Sequence, residues 1–271
     1  MDEEAVKPDL PVLNISAYLF TALIDSAALR DACLAQAKAL ALKGTILIAE
    51  EGINLFLAGP EEEVRSFVSW LQQDPRLAAI APKESWSASQ PFRKLLVKVK
   101  NEIIRMNHPA IQPQNARAPA VDAVTVKRWL DAGCDDQGRP VVTLDTRNVF
   151  EVEEGSFVGA IHWNIDKFSD FPKAAQAHLN DLQGKTVVSF CTGGIRCEKA
   201  AIYLREQGLE TVYQLEGGIL KYFEEVGNAH YEGNCFVFDE RRGVSPDLKP
   251  LKTDVQVNYG NHLHVDGELH R

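Results

Sequence analysis

The second half of the chain alternates short apolar runs with helical patterns, and this rhythm limits the possible folds more than any other feature. Four apolar runs are typical of buried strands, and four helical patterns accompany them: strands at 141–144, 160–163, 187–190 and 212–215, helices at 124–131, 172–182, 197–207 and 219–225. Such alternation indicates a parallel sheet covered on both faces by helices. We therefore predict a parallel α/β domain at residues 121–235.

The first hundred residues have a different order of elements. Strand patterns occur at 15–20, 45–49, 54–57 and 95–100, and helical patterns at 27–42 and 60–73. The resulting order, β-α-β-β-α-β, is that of a ferredoxin-like α+β domain, which we predict for residues 1–106. Residues 107–120 contain three prolines and predict a linker, and residues 236–271 form a C-terminal extension.

Composition narrows the class of protein and its location. A hydrophobic content of 45% with 25% charged residues indicates a globular protein. No run reaches the roughly 20 apolar residues that span a bilayer, and the acidic N-terminus lacks the features of a secretory signal, so we expect a cytoplasmic protein without a membrane partner. The five cysteines are then free thiols. No CxxC pair occurs, and we expect no metal site; His262 and His264 have a spacing that suits a metal, but a mobile polar terminus is the favoured interpretation.

The strand at 187–190 leads directly into a loop that carries the chemistry, Cys191-Thr192-Gly193-Gly194-Ile195-Arg196. Its glycines allow backbone conformations that turn N–H groups towards the sulfur of Cys191. The following helix and Arg196 add positive charge, and all three effects favour the thiolate. A cysteine after a buried strand is more often a small hydrophobic residue, but this loop favours a reactive one.

Three residues near the loop are predicted to support it. Cys197 is either a resolving thiol for an oxidised Cys191 or a packing residue, and the sequence leaves both open. Asp145 and Arg147 follow a neighbouring strand, where we favour an ion pair that holds the loop over a direct role. Glu198 and Lys199 are expected on the helix surface.

A local basic run stands out in a chain of net charge −9, which as a whole disfavours non-specific binding of nucleic acid, DNA included. The basic run comprises Arg93, Lys94, Lys98, Lys100 and Arg105. These side chains either contact RNA phosphates or form a solvated strand face. Trp86 and Phe92 nearby either stack on bases or belong to the core.

The cysteine loop resembles the active-site loop of rhodanese domains, which carry sulfur as a cysteine persulfide. Asp145-Thr146-Arg147, Gly159-Ala160-Ile161-His162 and Gln214-Leu215-Glu216-Gly217-Gly218-Ile219 resemble other segments of the same domain. Only four residues separate Cys191 from Arg196, one fewer than in the related dual-specificity phosphatases. The resemblance therefore implies a rhodanese-like domain with a cradle that suits sulfur better than phosphate.

A wider resemblance covers roughly residues 12–243, and includes the loop with its continuation to Ala200, residues 50–54, residues 92–105 and residues 234–241. These segments are similar to the tRNA uridine-34 hydroxylases. The resemblance implies tRNA as the partner and oxygen-dependent conversion of the wobble uridine to 5-hydroxyuridine, with molecular oxygen as co-substrate and Cys191 as the reactive centre. Many longer members continue into a cysteine-rich tail, whereas this chain ends in residues 249–271.

The sequence leaves the chemistry of Cys191 open. The sulfur either adds to C6 of uracil or carries a persulfide or an oxidised state, and no haem, flavin or iron-ligand pattern is evident. One alternative function is a sulfurtransferase that works through a Cys191 persulfide. Another is a non-catalytic RNA- or protein-binding module, although the intact cysteine and arginine count against it.

Overall fold

The computed structural model describes residues 11–251. Its N-terminal part is one five-stranded sheet with two helices packed on one face. The elements are β1 (Val12–Phe20), α1 (Ser26–Ala39), β2 (Lys43–Ala49), β3 (Gly52–Gly59), α2 (Glu61–Leu71), β4 (Lys83–Ser87) and β5 (Leu95–Val99). The strands lie in the order β4-β1-β3-β2-β5. The first four strands of this order give the ferredoxin-like arrangement, so the predicted fold class of this domain is confirmed.

One strand of the predicted unit is wrong. Residues 95–100 were expected to close the ferredoxin-like sheet, but that strand is β4, which pairs antiparallel with β1. The strand Leu95–Val99 lies at the opposite edge, parallel to β2. The sequence of β4, Lys83-Glu84-Ser85-Trp86-Ser87, has little apolar alternation because it is an edge strand that is exposed along part of its length.

The two faces of the N-terminal sheet have different partners. Along β1, Leu13, Ile15 and Ala17 are buried against the helices in the first hydrophobic core. The alternate side chains project from the other face, where Tyr18 and Phe20 pack against the core of the second domain. The sheet is therefore covered by helices on one side and by the rest of the chain on the other.

The second domain has a five-stranded sheet in the order β6-β11-β10-β7-β9, and all of its strand pairs are parallel. The predicted parallel α/β architecture is confirmed. Its elements are β6 (Ala120–Val121), α3 (Ala123–Ala132), β7 (Val141–Asp145), α4 (Val149–Val152), β8 (Gly155–Phe157), β9 (Ile161–His162), α5 (Phe171–His178), β10 (Thr186–Phe190), α6 (Ile195–Glu206), β11 (Val212–Leu215), α7 (Gly218–Val226), β12 (Tyr231–Gly233), β13 (Cys235–Phe236) and β14 (Gly243–Val244).

Local sequence explains the best-defined of these elements. All five residues of β10 are buried, as expected for the central strand of a sheet that is covered on both faces. Helix α3 begins where the Asp122 carboxylate accepts the Thr125 N–H at 2.7 Å, and it ends at Gly133 in the left-handed conformation. The shorter elements α4, β6, β8 and β12–β14 have no repeating pattern, and the sequence did not reveal them.

The chain between the two sheets is packed into the interior. Residues 100–119 contain no helix or strand, yet Ile103, Ile104, Met106, Ile111 and Ala118 are buried together with residues of the second domain. The domain boundaries stay a prediction. No helix within residues 11–251 has both the length and the apolar character to cross a membrane.

A buried ion cluster joins the two domains. Lys199, on α6, lies 2.8 Å from the Glu51 carboxylate and 2.6 Å from that of Glu102, and it donates a further hydrogen bond to the Ile104 carbonyl at 3.0 Å. Lys199 and Glu198 are each 1% exposed. The expectation that they lie on the helix surface was wrong, because the N-terminal domain covers this face of α6.

Replacing Lys199 with methionine is expected to destabilise the protein by about 3 kcal/mol at pH 7, since two carboxylates lose a buried partner. Burial already raises the pKa of Glu51, and Lys199 opposes that rise. Without Lys199 the pKa of Glu51 rises further. A carboxyl group whose pKa is raised in the folded state lowers the free energy of unfolding as the pH rises above its pKa in the unfolded state. The destabilisation by Lys199→Met should therefore be smaller at pH 5 than at pH 7. Urea unfolding at both pH values measures the change in the free energy of unfolding.

The control is Lys38→Met on the exposed side of α1, which should change stability by less than about 0.5 kcal/mol. An equally small effect of Lys199→Met would show that the ion cluster does not hold the domains together.

Candidate active site

The cysteine loop lies at the carboxyl end of the central strand β10 and rests on the start of α7. The Ile219 N–H donates to the Cys191 carbonyl at 2.9 Å, and the Leu220 N–H donates to the Thr192 carbonyl at 3.1 Å. Gly218 has a φ of 68°, and a Cβ there would lie 2.4 Å from the Cys191 carbonyl oxygen. Only glycine fits at 218, which explains the Gly-Gly turn that follows β11.

The sulfur of Cys191 is fully buried and surrounded by hydrogen-bond donors. The Gly194 N–H lies 3.1 Å from Sγ. Burial acts to raise the pKa of Cys191, but the Cys197 thiol, the charge of Arg196 and the backbone N–H groups of both residues outweigh it and lower the pKa to about 5. With a pKa in this range Cys191 is a thiolate at neutral pH.

Arg196 does not point an unpaired charge at the sulfur. Its guanidinium forms a two-pronged ion pair with Glu151, at 2.5 and 2.6 Å, and both side chains are almost completely buried. Asn148 donates its backbone N–H to Glu151 at 3.1 Å and caps α4. Glu151 was not among the residues predicted to support the loop, although the spacing Asn148-x-x-Glu151 is a capping-box signal that marks it.

Cys197 is a neutral thiol directly beside the thiolate. Burial and the negative charge of Cys191 raise the pKa of Cys197 well above its usual range. The thiol therefore keeps its proton and donates it in a hydrogen bond to Cys191, with the Thr146 hydroxyl 3.8 Å away on its other side. This geometry gives Cys197 a part in stabilising the thiolate, and a role as resolving thiol stays a prediction.

Asp145 and Arg147 form a buried ion pair under the loop. The Arg147 guanidinium donates to Asp145 at 2.9 and 2.6 Å and to the Gly155 carbonyl at 2.6 Å, and neither side chain is exposed. The Thr146 N–H donates to the Phe190 carbonyl at 3.0 Å. These contacts connect the end of β7 to the end of β10 and hold the floor of the site.

The remaining loop residues have distinct environments. Thr192 donates its hydroxyl to the Phe236 carbonyl at 3.3 Å, and Ile195 is buried in the core of the second domain. Gly194 has a left-handed φ of 101°. Gly193 has no positive φ, and a Cβ there would make only ordinary contact with Ser16 Oγ at 3.6 Å. Of the two loop glycines, only Gly194 has a backbone conformation that requires glycine.

The N-terminal domain contributes a wall of the site that the sequence analysis missed. Ser16 and Tyr18 project from β1 onto the loop, and the Tyr18 hydroxyl lies 3.0 Å from the position of a Cβ at Gly194. Tyr18 donates to Glu198 at 3.3 Å, and Lys83 on β4 lies with its ammonium 5.5 Å from the centre of the Tyr18 ring. No local pattern marks these residues, because the contacts cross more than a hundred positions of the chain.

The basic run is not part of the cysteine loop's surroundings. Arg93 is exposed and pairs with Glu240 at 2.5 Å, Lys94 and Arg105 are exposed, and Lys98 and Lys100 are half-buried. Trp86 packs against the N-terminal core, whereas Phe92 lines a cleft beside Thr192. Whether the run binds RNA stays a prediction at this point.

Within residues 11–251 no three His, Cys, Asp or Glu side chains come together as a metal site. His262 and His264 lie outside the described residues.

Comparison with known proteins agrees with this geometry. A buried cysteine thiolate after the central parallel strand, followed by an arginine at the start of a helix, defines a rhodanese-type domain, and residues 125–225 match the family model of the rhodanese-like domain. Residues 12–103 match the UPF0176 acylphosphatase-like domain. Relatives named tRNA uridine(34) hydroxylase cover most of this chain at well over half identity, and the chain belongs to that family.

Relatives with that name are similar along nearly the whole chain. A tRNA uridine(34) hydroxylase of Variovorax paradoxus is 65% identical over 95% of this chain and 98% of its own length. A second, from Delftia acidovorans, is 65% identical over 88% of this chain and 90% of its own. Among solved structures, a rhodanese-like domain from Anabaena is 22% identical and superposes with a TM-score of 0.34 over 42% of this chain and 79% of that one.

The ionisation of Cys191 predicts its alkylation profile. The rate of modification by iodoacetamide should rise with pH through a midpoint of about 5 and be constant at neutral pH, because the thiolate is the nucleophile. Burial raises the pKa of Cys33 and Cys235 to about 12, so these thiols should stay unreactive below pH 9. Mass spectrometry of the alkylated peptides measures each site. A Cys191 midpoint near 8.5 would contradict the ionised state.

The variant Cys197→Ala tests the cause of that ionisation. Loss of one hydrogen bond to a charged sulfur should raise the midpoint for Cys191 by about one to two units, since such bonds contribute roughly 1.5–3 kcal/mol and one unit equals about 1.4 kcal/mol. Cys235→Ala, another buried cysteine, serves as control and should leave the midpoint where it is.

Proposed function

We propose that this protein hydroxylates uridine 34 of tRNA at C5, with Cys191 as the nucleophile and molecular oxygen as co-substrate. The observation that carries the proposal is the buried Cys191 thiolate, which accepts the Gly194 N–H and precedes Thr192 in the lining of a cleft between the two domains. The names of the relatives at 65% identity supply the reaction class. All five cysteines are free thiols, which suits the reducing cytoplasm where tRNA is modified.

A thiolate has a direct use in this reaction. The Cys191 sulfur forms a bond to C6 of uracil, and the electrons of the C5–C6 double bond pass towards C4 and its oxygen, so C5 becomes electron-rich. The electron pair on C5 then forms a bond to molecular oxygen; the O–O bond is cleaved by two electrons and two protons from a thiol reductant, so that one oxygen atom stays on C5 as a hydroxyl and the other leaves as water. Loss of the C5 proton expels Cys191 and restores the ring.

A second function, sulfur transfer, has one observation in its favour. Cys191 and Arg196 are separated by four residues, and the loop amide of Gly194 points at the sulfur, as a persulfide carrier requires. Cys191 would then accept sulfane sulfur from a donor such as thiosulfate and pass it to a thiol. The two functions share a nucleophile but differ in product.

The variant Cys191→Ser is expected to abolish formation of 5-hydroxyuridine, because a hydroxyl is not ionised at neutral pH and is a far weaker nucleophile. The assay uses tRNA from cells that lack the protein, a thiol reductant and ¹⁸O₂, with mass spectrometry of nucleosides. Wild-type protein should add one ¹⁸O atom to the wobble uridine.

The matched control is Cys134→Ser, a partly exposed thiol outside the site, which should keep full activity. Turnover of thiosulfate and cyanide by the wild-type protein, with tRNA unchanged, would replace the hydroxylase proposal with sulfur transfer.

We propose further that the basic run takes part in binding the tRNA backbone. In a chain of net charge −9, tRNA needs a local basic surface, and Arg93, Lys94 and Arg105 are exposed on the N-terminal domain. Lys98 projects from β5 on the face of the sheet that carries Tyr18, as the pairing of β5 with β2, β3 and β1 shows.

Replacing Lys94 and Lys98 together with alanine should weaken tRNA binding and flatten the slope of log affinity against log salt by up to about 2, one unit for each lost phosphate contact. Filter binding across a salt series measures both quantities. The pair Lys38→Ala and Lys173→Ala, exposed lysines on α1 and α5, is the control. Identical slopes for the two double variants would place the tRNA surface elsewhere.

A further inference from the structure

A cleft separates the N-terminal sheet from the cysteine loop and the C-terminal segment. The cleft is partly open to solvent. We call it the interdomain cleft; its lining includes Ser16, Phe56, Lys83, Phe92, Thr192 and Phe238. Three phenylalanines stand there beside polar and charged side chains, a combination that suits a flat ring with polar substituents, such as a nucleobase.

The cations around the loop differ in whether a carboxylate lies beside them. Four of them are each paired with a carboxylate: Arg196 with Glu151, Arg147 with Asp145, Lys199 with Glu51 and Glu102, and Arg117 with Glu198. Lys83 has no carboxylate within 4 Å among residues 11–251. Its ammonium is thus the cation in this neighbourhood that stays available to an incoming anion.

The position of Lys83 directs that charge towards the loop. Lys83 is the β-sheet partner of Ser16, whose Oγ lies 3.6 Å from the position of a Cβ at Gly193. Its ammonium is 5.5 Å from the ring of Tyr18, and the hydroxyl of Tyr18 touches Gly194. The side chain therefore stands beside the glycines that cradle Cys191.

The surroundings of Lys83 are unfavourable for a charge in the absence of an anion. Burial lowers the pKa of Lys83, and the negative charge of Cys191 acts in the opposite direction. Lys83 is half-buried, and an ammonium that is partly withdrawn from water without a carboxylate partner costs free energy that an arriving anion would recover.

We propose that Lys83 is a catalytic residue that the N-terminal domain supplies to the rhodanese loop: its ammonium binds the oxygen on C4 of uracil when Cys191 adds to C6. This inference rests on the proposed function. In the step, a sulfur lone pair forms the S–C6 bond, the C5–C6 π pair moves to C5–C4, and the C4–O π pair moves onto the oxygen. No group leaves and no proton moves; one negative charge passes from sulfur to oxygen, where Lys83 donates a hydrogen bond to it.

The proposal predicts a loss in the chemical step. Lys83→Met keeps the length of the side chain and removes its charge, and it should lower kcat for 5-hydroxyuridine by about 10²–10³-fold, as for loss of one donor to a developing oxyanion. Lys83→Arg should recover at least tenfold of that loss. The Kd for tRNA should stay within threefold, and Lys38→Met, an exposed lysine on α1, is the control with unchanged kcat and Kd.

A partial reaction without oxygen separates this proposal from the proposed function. Addition of Cys191 to C6 makes C5 basic, so tRNA labelled with tritium at C5 of uridine 34 should lose tritium to water under argon. Wild type should release it, Cys191→Ser should not, and Lys83→Met should release it at least 30-fold more slowly. If wild type forms no 5-hydroxyuridine in air, the proposed function itself fails, whatever Lys83 does.

Three results would overturn the role of Lys83. The first is an unchanged kcat in Lys83→Met with a weakened Kd, which would make Lys83 a tRNA-binding residue. The second is a combination of two findings in Lys83→Met: the midpoint for Cys191 alkylation is raised, and activity returns fully at high pH. Lys83 would then only lower the pKa of Cys191 and would not bind the substrate oxygen. The third is hydroxylation by wild type without tritium release under argon, because C6 addition would then not precede oxygen.

Discussion

A sulfur atom that is fully buried and still ionised has to be solvated by the protein, and the rest of the site depends on this constraint. Lowering the pKa of Cys191 from its ordinary value to about 5, against burial, corresponds to roughly 5 kcal/mol. A single hydrogen bond to a charged group contributes about 1.5–3 kcal/mol, so several donors must act together. The Gly194 amide, the Cys197 thiol and the charge of Arg196 meet that need, and the loop has to be held in one conformation to supply them.

Rigidity comes from pairing the charges that surround the loop. Glu151 fixes Arg196, Asp145 fixes Arg147, and Gly218 leaves space for the Cys191 carbonyl. An ion pair buried in this way adds little to stability by itself, but it orients the guanidinium and leaves only part of its charge for the sulfur. The donors are then in place before a substrate arrives, which is the condition under which they are most effective.

The N-terminal domain belongs to the site as well as to the substrate-binding surface. Its sheet lies over the cysteine loop through Ser16 and Tyr18, and Lys199 of the second domain is buried against Glu51 and Glu102 of the first. The interdomain cleft is lined by Phe56 and Phe92 of the N-terminal domain and by Phe238 of the C-terminal segment. The surroundings of the cysteine loop are therefore built from both domains and depend on how they pack together.

The sequence by itself determined the features that local chemistry encodes. A continuous apolar run predicted β10, and two glycines with an arginine predicted the loop of Cys191. The order of strand and helix patterns predicted both fold classes. All three signals depend on residues that are close together in the sequence. Tertiary structure decided the rest. The polar edge strand that contains Lys83 has too little apolar alternation to be recognised from sequence. Glu198 and Lys199 were predicted on the helix surface, but the N-terminal domain buries them. Glu151 is brought to Arg196 only by the fold. Such contacts join residues 45 to 180 positions apart, and no pattern of adjacent residues records them.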